Sequence, residues 1–328
     1  YSGRVRTLVL FDASADPFWR MPAGFVAAIE EQLARQPEPW TLARCERGAD
    51  LPGALRDADA FVGWAFPPAL MRRAPKLHTL HFLTAGVPAG WAALTDARPE
   101  LRVTRSSGIN ADGVAEHGLF LMLALLRGVS VPALSRWEPM AFGHARAPGR
   151  LRCGVVGAGP IGVELARMAQ PLFAEVRILS QTARATLEVQ RPDGSFIDLG
   201  PVTGFEGAAN FFAWANVLAL VLPATPETER LYTDTLFAAL RPDVLLLNLG
   251  RGESLPEDAL LAFLDANPSA RFAADVASVE PYPSDGPLYA HPRVLLTPHV
   301  AGRREGVWEL LLPPTLDALR AVAGRGAA

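Results

Sequence analysis

The chain has 328 residues, 31 Lys or Arg against 34 Asp or Glu, a net charge of −3, and two widely separated cysteines, Cys45 and Cys153. A near-neutral chain without a basic stripe argues against nucleic acid as a partner, and no apolar run reaches the roughly 18 residues of a membrane span. Two lone cysteines exclude a disulfide framework and a four-ligand zinc site, so no metal is expected, and they fit a reducing cytoplasm.

In chain order, short apolar runs alternate with helical patterns. Runs at 7–11, 60–63 and 80–83 are predicted strands. A helix over 112–127 follows, with Asp112 as candidate N-cap. Residues 138–150 lack period and are expected to form a linker or arm. A strand over 152–156, a helix over 161–168 and a strand over 176–179 come next. Residues 186–199 alternate around Arg191-Pro192-Asp193-Gly194, the pattern of a β-hairpin. Strands over 217–222, 244–248, 272–276 and 294–296 then alternate with helices over 231–239 and 257–264. A last helix over 306–322 contains Pro314, which should bend or split it. Consecutive apolar residues mark strands buried on both faces of a parallel sheet. Strands alternating with helices imply βαβ units and a doubly wound α/β fold. At about 100–200 residues per domain, the length suggests two domains.

The strongest local signal is Gly157-Ala158-Gly159-Pro160-Ile161-Gly162, a G-x-G-x-x-G directly between a predicted strand and a helix. Gly157 permits a tight turn, Gly159 lets backbone approach a pyrophosphate, and Gly162 allows close helix–strand packing. Pro160 suits the first helical turn, and the helix N-terminus offers free N–H groups to an anion. The next strand ends at Ser180, where NAD-binding folds usually carry an acid for the ribose 2′-OH. With no carboxylate there, Ser180, Thr182 and Arg184 could receive a 2′-phosphate. NADP is therefore the expected cofactor, with NAD as the alternative.

Three motifs follow at predicted strand ends: 248–252 (Asn-Leu-Gly-Arg-Gly), 275–281 (Asp-Val-Ala-Ser-Val-Glu-Pro) and 297–302 (Thr-Pro-His-Val-Ala-Gly). Ligands of open α/β sheets bind beyond such ends, so Arg251, Glu280 and His299 can converge. Histidine is the side chain that titrates nearest neutrality, and a carboxylate partner raises its pKa and fixes its orientation. The planar, permanently charged fork of arginine suits a substrate carboxylate and carbonyl. Taken singly, each residue could belong to an ordinary loop. Lys76, the sole lysine, has no part in this chemistry, and His117 on the long helix is expected to be structural.

With these motifs, 110–117 (Asn-Ala-Asp-Gly-Val-Ala-Glu-His) and 222–228 (Leu-Pro-Ala-Thr-Pro-Glu-Thr), the chain resembles the D-2-hydroxyacid dehydrogenase family over nearly its whole length. It is closest in character to the glyoxylate/hydroxypyruvate reductases. The resemblance implies two doubly wound parallel-sheet domains, a Rossmann nucleotide domain (104–298) inserted into a flavodoxin-like substrate domain (1–103 and 299–328). It implies that Arg251, Glu280 and His299 are catalytic. Asp275 would contact the nicotinamide carboxamide, and Pro223, Thr228, Leu249 and Gly250 would join the glycine turn around the cofactor. Ala85, Gly86 and Val87 would offer backbone N–H groups to the substrate carboxylate, with Arg251. The implied partner is a small 2-oxo or 2-hydroxy acid, and the implied assembly a homodimer. Trp137 is a candidate for reaching the partner's cleft, with local packing as the alternative. Phosphoglycerate, formate or phosphite oxidation on the same scaffold, or a non-catalytic nucleotide sensor, are the rival readings.

Overall fold

The computed structural model describes residues 5–84, 86, 96, 98–129, 137, 145–190 and 194–323. The chain divides into two compact units, Tyr1–Asn110 with Arg303–Ala328, and Ala111–Gly302.

The first unit is built on five parallel strands, β1 (Arg6–Phe11), β2 (Trp40–Cys45), β3 (Ala60–Gly63), β4 (Thr79–Phe82) and β5 (Arg102–Arg105), in the order β2-β1-β3-β4-β5. β1 is apolar on consecutive residues because both faces are covered. Leu8 and Leu10 pack with Ile29 of the helix Ala23–Ala34 and with Leu311 and Leu319 of the helix Val307–Ala323. Val9, between them, packs on the other face with Leu55, Phe61, Leu80 and Phe82. Each such fully buried side chain contributes roughly 1.5–3 kcal/mol over its exposed state.

The second unit has seven parallel strands in the order β10-β7-β6-β11-β12-β13-β14. They are β6 (Arg152–Val156), β7 (Glu175–Leu179), β10 (Val202–Thr203), β11 (Val217–Leu220), β12 (Leu245–Asn248), β13 (Arg271–Ala274) and β14 (Val294–Leu296). The order reverses between β6 and β11, the switch point at which ligands of such sheets bind. Alternate residues again serve opposite faces. Cys153, Val155 and Leu247 face the core that holds Leu121 and Leu125 of the helix Ala111–Leu126, while Val156, Leu246 and Phe272 face Phe212 and Tyr232.

Several expectations change. The chain crosses between units after Asn110 and Gly302 rather than after 103 and 298. β5 explains the first shift, since its register against β4 holds residues 102–105 in the first sheet. The second leaves His299 within the second unit. The helix Val307–Ala323 continues through Pro313 and Pro314. Val307, Leu311, Thr315 and Leu319 form one buried stripe at four-residue spacing on both sides of the prolines, and that packing outweighs the lost backbone hydrogen bonds. The helix predicted over 231–239 begins earlier, at Pro226–Arg230, and passes through a π-helical segment, Leu231–Leu236. The hairpin forms as β8 (Glu188–Gln190) antiparallel to β9 (Phe196–Asp198); its turn residues 191–193 lie outside the described residues. The edge strands β2 and β5 are only partly buried, so their sequences lack the apolar run that announces a central strand.

Candidate active site

The turn between β6 and the helix Pro160–Ala169 is shaped by what its glycines lack. Gly157 has φ +128°, and a Cβ there would sit 3.0 Å from the carbonyl oxygen of Val221. A Cβ on Gly162 would lie 1.9 Å from the carbonyl oxygen of Gly157, so only glycine lets the helix start this close to the strand. Gly159, the N-cap, differs: a Cβ there would meet nothing within 4 Å. The backbone thus stands open at a helix N-terminus whose first N–H groups have no partner within the helix, with Pro160 at the first position and Ile161 next to it. That cradle fits a dinucleotide pyrophosphate.

At the end of β7, Ser180 is buried and its hydroxyl donates to the Thr182 carbonyl at 2.7 Å. The Ser180 donor is therefore engaged within the chain, whereas Thr182 and Arg184 are exposed. Backbone hydrogen bonds between Arg184 and Val202 tie this segment to β10. In 223–228, Pro223 is exposed, but Thr228 is buried. Its backbone N–H donates to the hydroxyl of Thr225, the N-cap of Pro226–Arg230. Thr228 thus serves a helix start.

Beyond β12, Asn248 clamps the turn that presents Arg251. Its carbonyl oxygen accepts from the Gly250 N–H at 3.0 Å, and its amide donates to the Arg251 carbonyl at 3.2 Å. Leu249 is buried beside it, and a Cβ on Gly252 would collide with Ala277 at 2.0 Å. The guanidinium Nη1 of Arg251 donates to the Gly250 carbonyl at 2.8 Å.

Glu280 and His299 meet directly. Nδ1 of His299 lies 2.6 Å from Oε2 of Glu280, while the Ala277 N–H donates to Oε1 at 3.1 Å. The hydrogen bond to Glu280 is the main reason the His299 pKa is raised above the ordinary histidine value. Burial works against the rise, the charges of Glu280 and Asp275 add to it, and Arg251 opposes it. Burial alone would raise the Glu280 pKa, but hydrogen bonds from His299 and Ala277 and the charges of His299 and Arg251 outweigh it and lower it. With Nδ1 held by Glu280, Nε2 on a half-exposed ring is the nitrogen left to exchange a proton.

His299 has φ +51°, the one non-glycine residue with positive φ among those described. Such a conformation costs about 1–3 kcal/mol and persists only where the surroundings impose it. Asp275, buried after β13, imposes it here: its Oδ1 accepts from the Val300 N–H at 2.9 Å and its Oδ2 from the Ala301 N–H at 2.7 Å. Hydrogen bonds to a charged acceptor contribute about 1.5–3 kcal/mol each, enough to offset the strain. Thr297 adds a third, its hydroxyl donating to Oδ1 at 2.6 Å. Both oxygens of Asp275 are thus engaged by the loop that carries His299.

The chain therefore brings Arg251, Glu280, His299 and Asp275 to the carboxyl edge of one sheet. His117 was not among the expected site residues, yet its Nε2 lies 2.9 Å from the Thr297 hydroxyl and 3.5 Å from Oδ1 of Asp275. Its 180-residue separation from Thr297 hides that contact from any local motif. In the first unit, the Gly86 N–H donates to the Thr84 hydroxyl at 3.1 Å; Ala85 and Val87 lie outside the described residues. Trp137 is exposed, and residues 138–144 of the arm also lie outside them.

A family model described as "D-isomer specific 2-hydroxyacid dehydrogenase, NAD binding domain" matches residues 119–301. The chain is 31% identical over 276 residues to a glyoxylate/hydroxypyruvate reductase A of Klebsiella pneumoniae, covering 78% of this chain and 84% of the relative. A protein of the same name from Serratia proteamaculans is 30% identical over 260 residues, covering 76% and 79%. Among solved structures, a D-isomer specific 2-hydroxyacid dehydrogenase from Xanthobacter autotrophicus, in complex with NADPH and MES, superposes with a TM-score of 0.71. It is 26% identical, over 99% of this chain and 96% of that one.

Proposed function

Because the chain belongs to the D-isomer-specific 2-hydroxyacid dehydrogenase family, we propose that it reduces a small 2-oxo acid of the glyoxylate or hydroxypyruvate type with NADPH. The observation that carries this reading is the 2.6 Å contact between His299 and Glu280 at the sheet edge that also presents Arg251. In the direction of reduction, the protonated Nε2 of His299 gives its proton to the oxygen of the substrate carbonyl. Glu280 keeps that proton on the ring to higher pH and fixes the ring plane. Arg251 binds the substrate carboxylate and stabilises charge developing on the carbonyl oxygen. The turn at Gly157, Gly159 and Gly162, with Pro160 and Ile161, would hold the cofactor pyrophosphate; Pro223, Thr228, Leu249 and Gly250 would line the rest of its site. The bound cofactor supplies the hydride, and the protein supplies position and electrostatics.

The domains take the roles their topologies suggest, residues 111–302 for the cofactor and the remainder, with the backbone N–H groups of Ala85, Gly86 and Val87, for the substrate. Asp275 positions the His299 loop and stands near the nicotinamide end of the site. Ser180 in place of an acid and the exposed Thr182 and Arg184 favour NADPH over NADH, as does the NADPH complex of the Xanthobacter structure. Two free, buried cysteines suit a cytoplasmic setting. Phe120 and Leu123, exposed on one helix, supply apolar surface for a homodimer. Among the described residues no helix is long and apolar enough to cross a membrane.

A substrate panel with cofactor absorbance as readout tests the reading. Glyoxylate and hydroxypyruvate should be reduced with NADPH, more efficiently than with NADH. Turnover of formate or phosphite alone would move the chain to another reaction. NADPH binding without turnover of any 2-oxo acid would make it a nucleotide sensor.

A further inference from the structure

The loop that carries His299 is anchored on a buried carboxylate, and that anchor continues to a residue outside the chemistry. The Thr297 hydroxyl has one proton and three possible acceptors in reach, Oδ1 of Asp275 at 2.6 Å, Nε2 of His117 at 2.9 Å and the Ala274 carbonyl at 3.4 Å. The shortest contact, to a carboxylate, takes the proton. Toward His117 the hydroxyl therefore presents a lone pair, and Nε2 of His117, 2.9 Å away, must carry a hydrogen to make the bond. The chain of donors runs from His117 to Thr297 to Asp275, and Asp275 accepts in turn from the N–H groups of Val300 and Ala301, the two residues that follow the strained backbone of His299. His117 is largely buried, with its ring 5.7 Å from that of Phe120, so its side chain has little freedom to leave this partner.

We propose that His117 is a positioning residue for His299, acting through Thr297 and Asp275. The proposal rests on the reading of His299 as proton donor, but its geometry is independent of the substrate. With the His117 donor gone, the Thr297 hydroxyl is free to turn, Asp275 loses its third fixed bond, and His299 relaxes away from Glu280.

The test compares His117→Gln, which keeps an amide donor, with His117→Leu, which has none. The first readout is the titration of the His299 ring by NMR, its signal identified by its loss in His299→Ala. Glu280, Asp275 and Arg251 are the charged groups that act on that ring. The His299 midpoint should fall toward the ordinary histidine value in His117→Leu and stay near that of the parent in His117→Gln. The second readout is NADPH oxidation with glyoxylate: His117→Leu should lower kcat about 10- to 100-fold, with KM and NADPH affinity within about twofold, and His117→Gln should restore most of it. An unchanged or raised midpoint in His117→Leu would overturn the proposal. So would equal shifts in both variants with equal losses of melting temperature, which mark a role in the fold alone. If His117→Leu does not fold, Thr297→Val removes the relay hydroxyl and is read the same way, a lowered midpoint supporting the proposal and an unchanged one contradicting it. Should the parent reduce no 2-oxo acid, the functional reading falls while the titration still decides this one.

Discussion

Two regions of this site, the end of β6 and the ends of β13 and β14, are built on opposite principles. After β6 the chain removes side chains: Gly157 and Gly162 let a helix begin against the strand, and Gly159 leaves its backbone bare. After β13 and β14 the chain adds them: a buried carboxylate collects three hydrogen bonds and holds a histidine in a conformation that histidine otherwise avoids. The first end suits a ligand that stays the same through a reaction, a pyrophosphate recognised by backbone. The second suits a group that must change protonation state without changing place.

The largest expected effect falls on the second end. His299→Ala should lower turnover by about 10²–10⁴-fold, the usual worth of a general acid, while NADPH affinity measured by fluorescence stays near that of the parent. Retained turnover would remove His299 from the chemistry. The glycines of the first end separate from one another. Gly162→Ala meets the Gly157 carbonyl and should lower the thermal midpoint, at a cost of about 1–3 kcal/mol. Gly159→Ala meets no atom, so it should leave the apo protein about as stable while weakening NADPH binding by roughly tenfold, about 1.4 kcal/mol. Equal effects of the two substitutions would erase the distinction between a packing glycine and a binding one. The smallest effect belongs to Arg184→Ala. As an exposed charge worth up to about 1 kcal/mol, it should narrow the preference for NADPH over NADH by about fivefold or less, read as a ratio of kcat/KM values.

The same contrast explains what the sequence made legible. A cradle made of backbone writes itself as contiguous glycines, and the central strands write themselves as apolar runs because both of their faces are buried. Arg251, Glu280 and His299 could be grouped from sequence because each lies in the loop that follows a strand with an apolar run. Their support was not legible. Asn248 opens a motif without announcing that it clamps the turn, and His117 reads as one more helical residue until the fold brings it to Thr297. Ser180 and Thr228 lie at expected positions, but their hydrogen-bonding groups serve the strand end and a helix start, which depends on backbone geometry that spacing does not carry. The first crossing point moved by a few residues because the edge strand β5, half-buried and bounded by arginines, gives no apolar signal.

In the proposed mechanism Glu280 keeps His299 protonated for reduction. The most direct test of this role is the pH dependence of kcat/KM for glyoxylate reduction in the parent and in Glu280→Gln. Reduction needs the imidazolium, so the rate should fall as pH rises through the His299 pKa. That pKa is raised chiefly by the hydrogen bond to Glu280, so the variant should lose activity at lower pH than the parent. An alkaline limb at the same pH in both proteins would contradict the account.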